Sequence, residues 1–215
     1  MPSSAPHSID RPTIGLNIRQ WYHFSSSLIP YQFAQRRYRE RSFEQMAHVE
    51  ASALDLVRRL RAGFDARVVL LSAYQPDVVN WEDDLFWLRR LKDAVRDDEV
   101  ILADKPLSIP EYFRLMAGLD LMIGMRLHST LIALRFGVPG INLSYTLKGR
   151  DIMEHLGLGD WVEDLDAFVM SNESVFSTAS TILSDRKTHR LKTLTAVNRA
   201  IEENLAFMNQ LFSGR

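Results

Sequence analysis

Apolar positions along the chain alternate between two kinds of pattern. Short dense runs at 13–18, 67–72, 99–103, 121–123 and 140–143 read as buried β-strands, and R-V-V-L-L-S at 67–72 is β-branched enough for a central strand. Between them, apolar residues recur at helical spacing. One helix is expected to open at Ser42, with Gln45 completing a capping box. Its stripe is Met46, Val49, Ala53, Leu56 and Leu60, and Gly63 closes it. Further helices are predicted over 81–96, from Ser108 and Glu111 to near Gly118, over 127–136 and over 147–156. A sixth short strand is expected at 161–162, and the tail reads as helix over 173–183 and 188–212 with a regular apolar face.

This strand–helix alternation predicts an α/β fold: a doubly wound, mostly parallel, Rossmann-like sheet. The expected organisation is a linker or tail at 1–12, a Rossmann-like domain at 13–185 and a C-terminal helix at 186–215. The connection that breaks the rhythm is 20–41, which holds Trp21, Tyr22, His23 and Phe24 and then Arg36, Arg37, Arg39 and Arg41. It reads as a long loop, a type that is usually functional or mobile.

Composition narrows the function. A net charge of −1 over 215 residues gives no field to recruit nucleic acid, so any anion site is local. The absence of cysteine excludes disulfides and thiolate metal sites. His48, His155 and His189 make no metal-ligand spacing with carboxylates, so no metal is expected. No G-x-G-x-x-G, Walker loop or G-x-S-x-G elbow is present, which disfavours nicotinamide, P-loop and serine-hydrolase chemistry.

Ligands of open α/β sheets bind beyond the carboxyl ends of the strands. The predicted exits supply Arg19; Ser72 and Tyr74; Asp104 and Lys105; Arg126, Leu127, His128 and Ser129; and Ser144, Tyr145 and Lys148. Four of the five carry a cation. The stretch D-L-M-I-G-M-R-L-H-S at 120–129 is the most telling. It places a guanidinium, an imidazole and a hydroxyl where a strand turns into a helix, and helix starts favour anions. Taken singly, Arg19 or Lys105 reads as a surface ion-pair partner and His128 as a core histidine. Their gathering is what predicts a pocket for a small, multiply charged anion.

With T-I-G-L-N-I-R at 13–19, D-L-M-I-G-M-R-L-H-S at 120–129 and G-V-P-G-I-N-L-S-Y-T-L-K at 137–148, the chain resembles the polysaccharide pyruvyl transferase family. The resemblance is strongest over 104–157. It implies one domain of a two-domain protein of the glycosyltransferase-B type, with the acceptor-binding half supplied by a further domain or a second chain. The implied reaction transfers the enolpyruvyl portion of phosphoenolpyruvate to two sugar hydroxyls, forming a pyruvate ketal in exopolysaccharide biosynthesis. Its partners would be phosphoenolpyruvate and a saccharide or lipid-linked saccharide, without a cofactor, in the cytoplasm at the inner face of the membrane.

The resemblance also implies that Arg126, Leu127, His128 and Arg19 hold the donor. His128 is the candidate general acid, oriented by Asp104 or Glu154, while Ser129, Lys105, Tyr145 and Lys148 complete the expected set. Two rival functions stand beside this one. The first is a donor domain for a nucleotide sugar; the second is a non-catalytic remnant that binds an anion or a partner.

Overall fold

The computed structural model describes residues 11–20, 31–73 and 83–213, with the side chains of 31–39 left aside. Six strands form one parallel sheet: β1 (Thr13–Asn17), β2 (Arg67–Leu71), β3 (Val100–Ala103), β4 (Leu121–Gly124), β5 (Gly140–Ser144) and β6 (Val162–Asp164). Their spatial order is β3-β2-β1-β4-β5-β6. The chain winds outward from β1 in one direction and then returns to continue from β4 in the other. A crevice therefore opens between the carboxyl ends of β1 and β4, where such sheets bind ligands.

The buried strands sort their side chains by pleat. Ile14, Leu16, Val68, Leu70, Leu121, Ile123, Ile141 and Leu143 enter the larger apolar core. Across the sheet, Val69, Leu71 and Met122 join a smaller one. Helices α1 (Tyr31–Phe64), α2 (Asp84–Val95), α6 (Leu165–Met170) and α7 (Glu173–Ser184) supply the first core. Helices α3 (Ile109–Ala117) and α4 (Leu127–Arg135) bring Met116 and Ala133 to the second. Helix α5 (Leu147–His155) follows β5 and adds Met153 to the first core. The doubly wound α/β architecture is as the sequence pattern predicts.

Helix α1 corrects the expected loop and cap. It begins at Tyr31, so Ser42 is an interior, buried helical residue and only 21–30 of the expected long connection lies outside the described residues. The stretch Q-F-A-Q-R-R-Y-R-E-R contains no glycine or proline, and nothing in it stops helix propagation upstream of Ser42. The helix also ends later than Gly63, at Phe64, with Asp65 in the left-handed region at φ 48°. Its stripe of Met46, Val49, Ala53, Leu56 and Leu60 is buried as expected.

The cap at Ser108 holds, with its backbone N–H donating to Glu111 Oε2 at 2.9 Å. A turn of 3-10 helix at Gly159–Trp161 displaces the sixth strand to 162–164, and α6, unforeseen, follows directly. Helix α8 (Arg186–Ser213) packs against the body through Thr193 and Ala196, with Leu194 against Gly137. Beyond Ala200 its apolar residues, Leu205, Phe207, Met208, Leu211 and Phe212 among them, are exposed. No helix among the described residues is long and apolar enough to cross a membrane.

Candidate functional site

The turn after β4 is built between two asparagines. On one side, Asn17 at the end of β1 accepts from the Arg126 backbone N–H through Oδ1 at 3.2 Å and donates from Nδ2 to Leu71 O at 2.9 Å. On the other, Asn142 of β5 donates from Nδ2 to Gly124 O at 3.1 Å. Strands leave unpaired backbone groups where they end, and here neighbouring strands supply the partners. The turn is thus held while Gly124-Met125-Arg126 passes from strand to helix. Arg126 is the N-cap of α4 in an extended conformation, φ −82° and ψ 112°, and its carbonyl accepts from Ser129 N at 3.0 Å.

Sequence inspection did not find the partner of Arg126. Asp84, the first residue of α2, is fully buried and takes the guanidinium in a two-pronged pair: Nε donates to Oδ2 at 2.6 Å and Nη2 to Oδ1 at 2.7 Å. The same Oδ2 accepts from Ala73 N at 3.3 Å and from Asn17 Nδ2 at 3.4 Å. A buried carboxylate is tolerable only when its lone pairs are filled in this way. The result fixes Asp84 through donors from three residues, and Asp84 in turn holds the Arg126 guanidinium and offsets much of its charge.

Beside this pair lies a cavity of about 210 Å³ lined by Arg19, Arg126, Leu127, His128, Asn142, Ser144, Tyr145, Thr146, Lys148 and Gly149. Two helices open onto it, α4 at Leu127 and α5 at Leu147, and neither has a side-chain cap. Their first N–H groups and positive dipole ends are therefore available to an anion. Arg19 is steered by its neighbours: Nη1 donates to Tyr145 Oη at 2.8 Å, Nε donates to Gln20 O at 3.0 Å, and Cζ lies 5.3 Å from the Tyr145 ring centre. Among the described residues neither Arg19 nor Lys148 has a carboxylate partner. The uncompensated positive charge of the cavity comes from these two residues.

Gly149 allows this approach. A Cβ on this third residue of α5 would collide with Asn142 Oδ1 and Ser144 Oγ, so α5 could not start so close to β5. Asn142 Oδ1, facing that gap, is buried and has no hydrogen-bond partner. Buried acceptors are rarely left unsatisfied, and Asn142 is among the residues that line the cavity.

His128 has a second setting. It also lines a larger cavity of about 410 Å³ between the ends of β2 and β3 and helices α3 and α4, together with Leu71, Ser72, Ala103, Leu107, Ile109, Tyr112, Phe113, Ser129 and Ile132. The imidazole is exposed, not buried as an isolated core histidine would be, and it stands on the wall common to both cavities.

The structure brings Arg19, Arg126, Leu127, His128, Tyr145 and Lys148 together as the strand exits predict, and separates two residues from them. Lys105 is exposed and does not line the smaller cavity, because β3 is the edge strand, two places from β1. Ser129 is turned to the larger cavity, where its Oγ accepts from Tyr112 Oη at 3.3 Å. Burial raises the Tyr112 phenol above its ordinary range, and this bond partly offsets the shift. Neither carboxylate expected to orient His128 does so. Glu154 sits 3.9 Å from Arg150 and Asp104 is exposed, with no bond to the imidazole among the described residues. Tyr74 lies outside the described residues. No cluster of three potential metal ligands occurs among the described residues.

Comparison with known proteins bears on the fold and on the family. A solved structure of a putative UDP-N-acetylglucosamine 2-epimerase from Listeria monocytogenes superposes with a TM-score of 0.50 at 15% identity, over 96% of this chain and 46% of that one. The likeness is one of fold. The amylovoran biosynthesis protein AmsJ of Erwinia amylovora is 38% identical over 55 residues, which is 26% of this chain and 13% of AmsJ. The chain thus spans less than half of the epimerase chain and matches a small part of AmsJ. The family model described as Polysaccharide pyruvyl transferase matches residues 24–146, from just after Arg19 through the R-L-H turn to the start of α5. With more than half its length matched, the chain belongs to the polysaccharide pyruvyl transferase family, transferases of polysaccharide biosynthesis.

Proposed function

We propose that this chain forms the donor-binding half of a ketal pyruvyl transferase of exopolysaccharide biosynthesis. It would hold phosphoenolpyruvate in the cavity between the β4 and β5 exits, without cofactor or metal. The observation that carries this reading is the pairing of two uncapped helix starts with Arg19 and Lys148 around one small cavity. Phosphoenolpyruvate has a phosphate and a carboxylate on a three-carbon frame, and holding both requires several cations in fixed geometry. The phosphate lies over the starts of α4 and α5 with Lys148, and the carboxylate faces Arg19. Arg126, anchored by Asp84, supplies a wall of fixed shape and extends the row of donors.

His128 is the general acid. It delivers a proton to C3 of the enol, the C2–C3 double bond supplies the electrons, and C2 becomes oxocarbenium-like. A sugar hydroxyl adds to C2 and gives its proton to the neutral imidazole. As a second hydroxyl closes the ketal, the C2–O bond to phosphate breaks, the imidazolium gives its proton to the departing oxygen, and the imidazole takes up the proton of the second hydroxyl, so that inorganic phosphate leaves and His128 is again the acid. A histidine suits both directions of proton transfer near neutral pH. The acceptor is a saccharide or lipid-linked saccharide, and the remaining part of its site comes from a further domain or a second chain. The proposed setting is the cytoplasm, at the inner face of the membrane.

Calorimetry with phosphoenolpyruvate and with UDP-N-acetylglucosamine separates this function from nucleotide-sugar chemistry. Phosphoenolpyruvate is expected to bind one to one and the nucleotide sugar not to compete; the reverse would make this a nucleotide-sugar site. In the full-length enzyme, His128→Gln should keep donor affinity within a few-fold while phosphate release falls on the order of 10²-fold or more. Undiminished release would remove His128 from the chemistry.

A further inference from the structure

The exposed apolar residues of α8 are not scattered. Leu191, Leu194, Asn198, Ile201, Leu205, Met208 and Phe212 follow one another at alternating steps of three and four residues, a heptad line with Leu191, Asn198, Leu205 and Phe212 at its a positions and Leu194, Ile201 and Met208 at its d positions. The six apolar side chains are 37% to 65% exposed, Leu194 keeping 38% although its edge rests on Gly137, and Asn198 is exposed as well. Off the line lie only Leu211, which borders it at a g position, and Phe207. The buried residues of the helix, Thr193 and Ala196, fall at c and f, so the line faces away from the body. An α-helix drifts by about 20° per heptad against a 3.5-residue repeat, so a seam kept in step for three heptads is followed best by a second helix wound around it. A lipid surface imposes no such step and would meet an amide in the middle of the line.

We infer that α8 pairs over 191–212 with α8 of a second copy of this chain, as a parallel, in-register, two-stranded coiled coil. Asn198 decides the form. In register it meets its own counterpart and the two amides hydrogen-bond, whereas a shifted pairing sets an amide against leucine or isoleucine. The flanking positions allow the parallel register: Arg190 faces Thr195 of the other copy, Val197 faces Glu202 and Asn204 faces Asn209, so no like charges oppose one another. Half-exposed side chains of this size leave on the order of 80–100 Å² each to bury. With Leu211 the two copies together remove roughly 1,200 Å² from water, the lower edge of stable interfaces. The bodies lie on the outer faces of the pair, and the inference does not depend on what the donor cavity holds.

Light scattering tests the pairing on the 215-residue chain. The mass should be twice 24.7 kDa at high concentration and fall toward 24.7 kDa on dilution. Leu205→Glu sets two like charges across the seam and should give the single-chain mass throughout; Leu205 is exposed, so the fold persists, which circular dichroism checks. The chain has no cysteine, so introduced thiols report the register. Under mild oxidation Asn198→Cys, at an a position, should cross-link nearly completely, and Gln210→Cys, on the outer face at f, only at background. A single-chain mass at every concentration overturns the inference, as does a dimer that Leu205→Glu leaves intact. Equal cross-linking of the two cysteine variants overturns the parallel register. A monomer that instead binds vesicles of anionic phospholipid, and loses them in Leu205→Glu, assigns the helix to a lipid surface and overturns the pairing as well.

Discussion

Replacing Asp84 by asparagine perturbs the pair on which the geometry of the β4–α4 turn depends. The carboxylate receives four donors, two from Arg126 and one each from Ala73 and Asn17. An asparagine of the same shape has a single acceptor oxygen, and its amide hydrogens would face at least one of those donors. Removing one member of a buried pair costs about 3–5 kcal/mol, largely because the other charge is left uncompensated. The Arg126 side chain keeps 18% of its surface exposed, so solvent softens the loss toward about 3 kcal/mol. For a domain of this size each kcal/mol lowers the melting temperature by roughly 2–4 °C, so Asp84→Asn should melt about 6–12 °C below wild type. Calorimetric melts of the wild type, Asp84→Asn, Asp84→Leu, Arg126→Met and the double variant Asp84→Leu/Arg126→Met measure this directly. The double variant should recover much of the loss, since no buried charge is left without its partner. A single variant melting within a degree of wild type, or strictly additive losses, would refute the view that this pair holds the turn.

Other consequences are smaller or more local. Gly149→Ala should cost about 1–3 kcal/mol by overpacking and weaken donor binding, because the added methyl forces α5 away from Asn142 and Ser144; thermal melts and calorimetry report both. Tyr145→Phe removes the hydroxyl that receives Arg19 Nη1, and should weaken donor binding several-fold while the melting temperature stays within a few degrees. The acid limb of stability follows from Asp97, held below the ordinary aspartate range by the Arg61 guanidinium and by the Glu99 backbone N–H. The unfolded chain takes up this proton more readily, so the contribution is complete above the ordinary aspartate pKa and disappears as pH falls through the lower folded-state value. Melts of the wild type should drop over that acidic range, and Asp97→Asn should flatten part of the slope.

Much of the fold was legible because parallel strands buried on both faces are written as dense apolar runs, and V-V-L-L at 68–71 could hardly be anything else. The start of α1 was not, since Ser42 and Gln45 make a plausible cap and only the absence of a breaker upstream argued otherwise. The cavity was legible in outline, because Arg19, the R-L-H turn and Lys148 all follow strand ends. Lys105 failed the same rule because exits converge only near the switch point, and strand order is not local information. Asp84 was hidden for a different reason. In sequence it is one of two aspartates at a helix start, where acidic residues are ordinary, and its partner lies 42 positions away. Asn17 and Asn142 were equally silent, because an asparagine at a strand end declares nothing until its neighbours in the sheet are known.

The central claim is that the cavity beside the R-L-H turn holds phosphoenolpyruvate, and calorimetry tests it most directly on the wild type, Arg19→Ala, Arg126→Ala and His128→Ala. The account predicts one site per chain in the wild type. It also predicts a loss of about 1.5–3 kcal/mol of binding free energy when a single charge-assisted contact is removed from Arg19. Arg126→Ala should lose at least as much through collapse of the turn, and His128→Ala less. Equal affinity across the four proteins, or no binding to the wild type, would contradict it.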